Sequence, residues 1–112
     1  MNTFFVSSVV TGFEPERAAA RSAISVMQFR PIMCEDFGAQ SYSSETACLL
    51  EVEQSDVYVL ILGDSYGYET PEGISVTHAE YRAARAANKP ILAFIKECDM
   101  EEKQQAFRDE VE

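Results

Sequence analysis

The sequence predicts a three-layer α/β/α fold around a parallel sheet of strand order 2-1-3-4. Three observations predict it. Short apolar runs rich in aromatic and β-branched residues alternate with segments of helical periodicity, in the order βαβαβαβα. The strands read as continuous apolar stretches rather than alternating ones, as expected of strands buried on both faces. The chain has 112 residues, 46% of them apolar and 25% charged, which suits one globular domain.

The first strand is Phe4 to Val10, and Gly12 breaks it. Pro15 and its acidic neighbours Glu14 and Glu16 suit the first turn of a helix. Ala20, Ala23, Ile24 and Met27 then give that helix its apolar stripe. Pro31 to Cys34 is a second strand, ended by Glu35-Asp36-Phe37-Gly38. Ser41 to Ser44 offer caps for a second helix, whose stripe is Cys48, Leu49 and Val52. Val57 to Leu62 is the clearest strand, bounded by Asp56 and Gly63. A polar loop from Gly63 to Ile74 is long for a connection of this kind. A third helix carries Ala83, Ala84 and Ala87 on one stripe, and Asn88 is placed to end it before Lys89-Pro90. Pro90 to Ile95 is a fourth strand. Met100 to Glu112 is a fourth, weakly amphipathic helix with Met100, Phe107 and Val111 on its apolar side and an acidic, solvated outer face. The arrangement is flavodoxin-like, with room for a further strand outside this chain. The charged last helix has no closing element after it, which reads as a fragment of a longer polypeptide cut near a domain edge.

Composition excludes several function classes. Lys and Arg number 9 against 19 Asp and Glu, a formal charge of −10. Such a surface repels phosphate backbones and anionic lipid, so neither nucleic acid nor membrane is an expected partner. No apolar run reaches the ~20 residues of a spanning helix. Three widely spaced cysteines without a CxxC pair read as reduced, largely buried thiols of a cytoplasmic protein. A single histidine, His78, makes a metal site unexpected. The dinucleotide and P-loop glycine patterns are both absent.

A ligand should bind beyond the carboxyl ends of strands one and three, where the strand order reverses. Two loops meet there. The first supplies Ser7 and Ser8; the second supplies Asp64, Tyr66, Gly67 and Tyr68. Arg17 is the nearest basic residue. Glu80 shares a stripe with Ala83, Ala84 and Ala87 and so faces the sheet close to its helix's N-terminus. Two roles are open to it. Thr77-x-x-Glu80 is a capping box, in which Thr77 caps the helix and Glu80 reaches back to the amide of residue 77. Alternatively the carboxylate points into the cleft and stabilises or attacks an oxocarbenium-like centre. Apolar surroundings would raise its pKa and the helix dipole would lower it. Tyr81 fits either the core or the cleft wall.

Phe5-Val6-Ser7-Ser8, Glu14-x-Glu16-Arg17, Glu35-Asp36-Phe37, Ser55-Asp56-Val57-Tyr58, Gly63-x-x-Tyr66-Gly67, Ser75-x-Thr77-x-x-Glu80-Tyr81 and Lys89-Pro90-Ile91 occur in that order. Together they resemble the family catalogued as domain of unknown function 4062, over Phe4 to about Ile95. Val9 departs from that family's usual Thr after the paired serines. Such domains stand at the N-termini of larger proteins, commonly ahead of NTPase modules of the NACHT or STAND type. The family is similar in turn to Toll/interleukin-1 receptor (TIR) domains and to nucleoside 2-deoxyribosyltransferases. Ser75 and Glu80 match the Ser and catalytic Glu of the first; Thr77 and Glu80 match the Thr-x-x-Glu of the second. The resemblance implies an N-glycosidase that splits NAD or a related nucleotide and serves as an effector or signalling module of a defence protein. NAD would be a substrate and not a cofactor. Glu80 would be catalytic, with Ser7, Ser8, Asp64, Tyr66, Gly67, Ser75 and Tyr81 around the substrate. The alternative the resemblance equally allows is a non-catalytic module acting by self-association.

Overall fold

The structure, a computed structural model, describes residues 2–9, 12–33, 44–67 and 69–112, the side chains of 44–47 excepted. The elements are β1 (Thr3–Ser7), α1 (Glu14–Val26), β2 (Arg30–Ile32), α2 (Ser44–Gln54), β3 (Val57–Leu62), α3 (Val76–Ala86), β4 (Ile91–Ile95) and α4 (Glu102–Val111). All strand pairs are parallel and the order is β2-β1-β3-β4, the expected flavodoxin-like α/β arrangement. Val10, Thr11, Cys34, the strand-ending Glu35-Asp36-Phe37-Gly38, the caps at Ser41 to Ser43 and Tyr68 lie outside the described residues.

Successive strand side chains point to opposite faces, and this splits the core in two. Phe5, Tyr58, Leu60 and Leu62 face α2, α3 and α4, where they meet Cys48, Val52, Tyr81, Ala84 and Phe107. Phe5 and Tyr58 are in register and stacked, with ring centroids 6.1 Å apart. Val6 and Val59 face the other way, toward Ile24 of α1.

Several details differ from expectation. On α1 the inward stripe is Arg17, Ala20 and Ile24, preceded by Phe13; Ala23 and Met27 face outward. The shift arises because Arg17, a charged residue, takes an inward position that apolar patterning skips. Ala87 ends α3 and is exposed, so its stripe is carried by Thr77, Glu80, Tyr81 and Ala84. Asn88, at φ 58°, closes α3 as expected, with the Asn88 amide donating to Arg85 and the Lys89 amide to Ala84. Gln28, at φ 65°, closes α1 in the same way. The sheet is not covered evenly: on β4, Leu92 and Phe94 are 46% and 59% exposed. Cys48 is disulfide-bonded and Cys98 is an exposed free thiol, against the expectation of buried reduced cysteines. An odd total leaves room for one bonded pair. Among the described residues no helix is long and apolar enough to cross a membrane.

Candidate functional site

The paired serines at the end of β1 are divided between the two faces of the sheet. Ser7 continues the Phe5 face and meets α3, where its hydroxyl donates to Glu80 Oε1 at 2.6 Å. Ser8 turns to the α1 face, where Arg17 donates to its hydroxyl at 2.7 Å and to its carbonyl at 3.4 Å. One strand end thus holds a carboxylate on one side and a guanidinium on the other, and all four residues are buried.

Glu80 is 3% exposed. Burial pushes its carboxyl up to about 7, against a smaller downward pull from the Ser7 hydrogen bond and the Arg17 charge. The Tyr58 hydroxyl lies alongside. Burial and the neighbouring Glu80 charge hold it well above the ordinary phenol value, while the Ser7 hydroxyl nearby pulls the other way.

The expected capping box does not form. Ser75 is the N-cap of α3: its hydroxyl accepts from the His78 amide at 3.1 Å. The helix therefore starts two residues earlier than a cap at Thr77 requires, which puts Glu80 in the second turn. There its carboxylate turns to β1 instead of to the helix end.

Before α3 the chain makes a small hairpin turn. Glu69 bridges Ser75, and the Thr70 amide donates to the Ile74 carbonyl. Gly73, at φ 86°, allows the reversal. This lays Thr70 and Glu72 beside the start of the helix. Together with Leu49 of α2 and Val76, Ala79 and Glu80 of α3 they line a pocket of about 70 Å³. That is well below the ~300–1,000 Å³ of pockets that engulf a drug-sized ligand.

The remaining expected contacts are scattered. Tyr66 is buried, and its hydroxyl is 2.6 Å from His78 Nδ1. His78 stacks on Phe107 and bonds through Nε2 to Glu110 of α4 at 2.9 Å. Tyr66 is thereby tied under α4, not beside Glu80, because α4 covers the side of the loop that the sequence leaves open. Asp64 is exposed and its carbonyl accepts from the Glu101 amide, again toward α4. Gly67, at φ 90°, lies against Val9; a Cβ there would come within 2.9 Å of the valine. Ser75 is occupied as a cap. Tyr81 packs between Tyr58 and Phe107, which resolves it as core. Of the residues expected around a substrate, the structure brings Ser7 to Glu80, and Ser8 adjoins them through Arg17.

Sequence reasoning missed Tyr58 and the pocket wall. Tyr58 carried a signal, being the one polar-tipped residue in an otherwise aliphatic strand. Thr70 and Glu72 carried none, since a hairpin turn within a loop has no periodicity. Among the described residues no group of three or more His, Cys, Asp or Glu is placed to hold a metal ion.

No curated protein matches the chain. The sequence profile of one family matches residues 3–112, nearly the whole length, and the chain therefore belongs to the family described as domain of unknown function DUF4062.

Proposed function

We propose that the domain is a TIR-like N-glycosidase acting on NAD or a related nucleotide, with Glu80 as its catalytic carboxylate. The observation that carries this reading is the direction of Glu80. Its carboxylate leaves its own helix's amides alone, bonds Ser7 at the carboxyl end of β1, and belongs to a residue lining a pocket. A carboxyl held near 7 is divided between charged and neutral forms at neutral pH. In its charged form it stabilises a ribosyl cation, or bonds to the anomeric carbon, as the C–N bond to nicotinamide breaks. Water then takes the ribosyl group. Val76, Ala79 and Leu49 give the pocket that Glu80 lines its apolar walls. In a larger protein such a domain would serve as the effector or signalling unit beside an NTPase module.

The test is incubation of concentrated protein with NAD, with chromatography for nicotinamide. Wild type releases it, with a rate that rises through about pH 7, and Glu80→Gln does not. Concentrated wild type that releases none removes the proposal.

A second reading, a non-catalytic self-association module, is favoured by a different observation: the exposed Leu92 and Phe94 on β4. Association that is unaffected by Glu80→Gln, together with no nicotinamide release, selects it.

A further inference from the structure

The hydroxyl groups behind Glu80 have a role that the family resemblance did not suggest. Ser7 was expected to touch substrate, yet it is 1% exposed and its proton is committed to Glu80 Oε1. Tyr58, equally buried, sits beside it on β3, and its hydroxyl donates to the Thr77 carbonyl of α3 at 3.5 Å. Three elements are thus joined through side chains with almost no access to solvent: β3 through Tyr58, β1 through Ser7 and α3 through Glu80. Hydrogen bonds in such surroundings are stronger than in water and reinforce one another along a chain.

We infer that Ser7 is a positioning residue for Glu80: its hydroxyl fixes the orientation of the carboxylate at the end of β1 and favours its charged form. A donor to a carboxylate stabilises the charged state over the neutral one. Among the described residues, the other charged or titratable groups near Glu80 are Arg17 from α1, which acts in the same direction, Tyr58 from β3, and Glu72, which lines the same pocket; α2 brings Leu49 to that pocket. Ser7 therefore works against the burial that favours the neutral acid. It acts through Glu80 without touching substrate. The inference rests on the proposed role of Glu80 for its kinetic consequence alone; the effect on the carboxyl group is independent of turnover.

The experiment is a side-chain ¹³C-carboxyl NMR titration of Glu80 in wild type, Ser7→Ala, Ser7→Thr and Tyr58→Phe, with nicotinamide release from NAD measured on the same samples. Ser7→Ala moves the Glu80 midpoint up by about one pH unit. Ser7→Thr, which keeps the hydroxyl, returns it to within a few tenths of wild type, and Tyr58→Phe, which leaves the Ser7 donation in place, moves it by less than Ser7→Ala does. Should the added methyl of threonine prevent folding, Ser7→Cys keeps a weak donor and gives an intermediate midpoint. In kinetics Ser7→Ala lowers kcat about tenfold with KM little changed, and the rising limb of the pH profile moves up with the midpoint. A Ser7→Ala midpoint equal to wild type overturns the inference. A shifted midpoint in a protein that releases no nicotinamide upholds the hydroxyl's control of Glu80 and removes the glycosidase reading, so the two failures are distinguishable.

Discussion

Glu80 is stabilising or destabilising to the fold according to pH. Its folded pKa, about 7, lies above the ordinary glutamate value of 4.5, because burial disfavours the charged form. A raised pKa means that the folded state holds the proton more tightly. The associated stability is fully present below about pH 4.5 and is lost as pH rises through 7. The span corresponds to about 3 kcal/mol at most. Glu80→Gln, neutral at every pH, should match wild type in denaturant unfolding at pH 4.5. At pH 8.5 it should be more stable by about 2–3 kcal/mol. A wild type with no such deficit at high pH would mean that the carboxylate is better solvated than its burial implies. A residue kept at the expense of stability at neutral pH is the pattern of a functional site. The inward direction of Glu80 was legible in its spacing from Ala83 and Ala84. Its partner was not, because one-residue alternation at Ser7-Ser8 decides which serine meets which helix, and only the sheet register fixes that.

The elements were legible through their periodicity and their ends. Pro15 opens α1 and Asn88 closes α3, each for the backbone reason that suggested it. The start of α3 was harder, because Ser75 and Thr77 both carry capping hydroxyls and residue type cannot choose between them. The choice is made by the hairpin turn at 69–75, which delivers the chain to the helix with Ser75 extended at φ −71°, ψ 160°. The two alternatives differ measurably. Ser75→Ala removes the acceptor of the His78 amide and should cost about 1 kcal/mol in denaturant unfolding. Thr77→Ala should leave the cap intact, and hydrogen exchange at the first turn of α3 should rise in the Ser75 variant alone. The reverse result would restore the cap at Thr77 and, with it, the claim of Glu80 on its own helix. On α4 the expected Phe107 and Val111 do face the core, Phe107 stacked on His78, while Gln104, donating to the Gly63 carbonyl at 2.9 Å, takes the inward position that apolar patterning skips.

At the scale of the whole molecule, strand order followed from alternation of strand and helix, while coverage did not. Apolar runs in all four strands suggested a sheet protected on both faces. Yet among the described residues α2, α3 and α4 pack on one face, and α1 alone packs on the other, over Val6, Met33 and Val59. β4 lies at the sheet's end beyond β3, so among the described residues no helix stands over its α1-side residues. Ile91 and Ile95 point to the covered face and are partly buried; Leu92 and Phe94 alternate with them and are exposed. An apolar pair on an edge strand invites pairing with another surface. The self-association reading therefore predicts that sedimentation shows a concentration-dependent increase in mass for wild type. Leu92→Ser with Phe94→Ser should abolish that increase, while unfolding free energy changes by less than about 1 kcal/mol, as for other exposed positions. If the double variant still associates, this face is not the contact. If wild type stays monomeric at high concentration, the exposed pair does not drive assembly, and Glu80 is left as the feature of the domain that calls for a function.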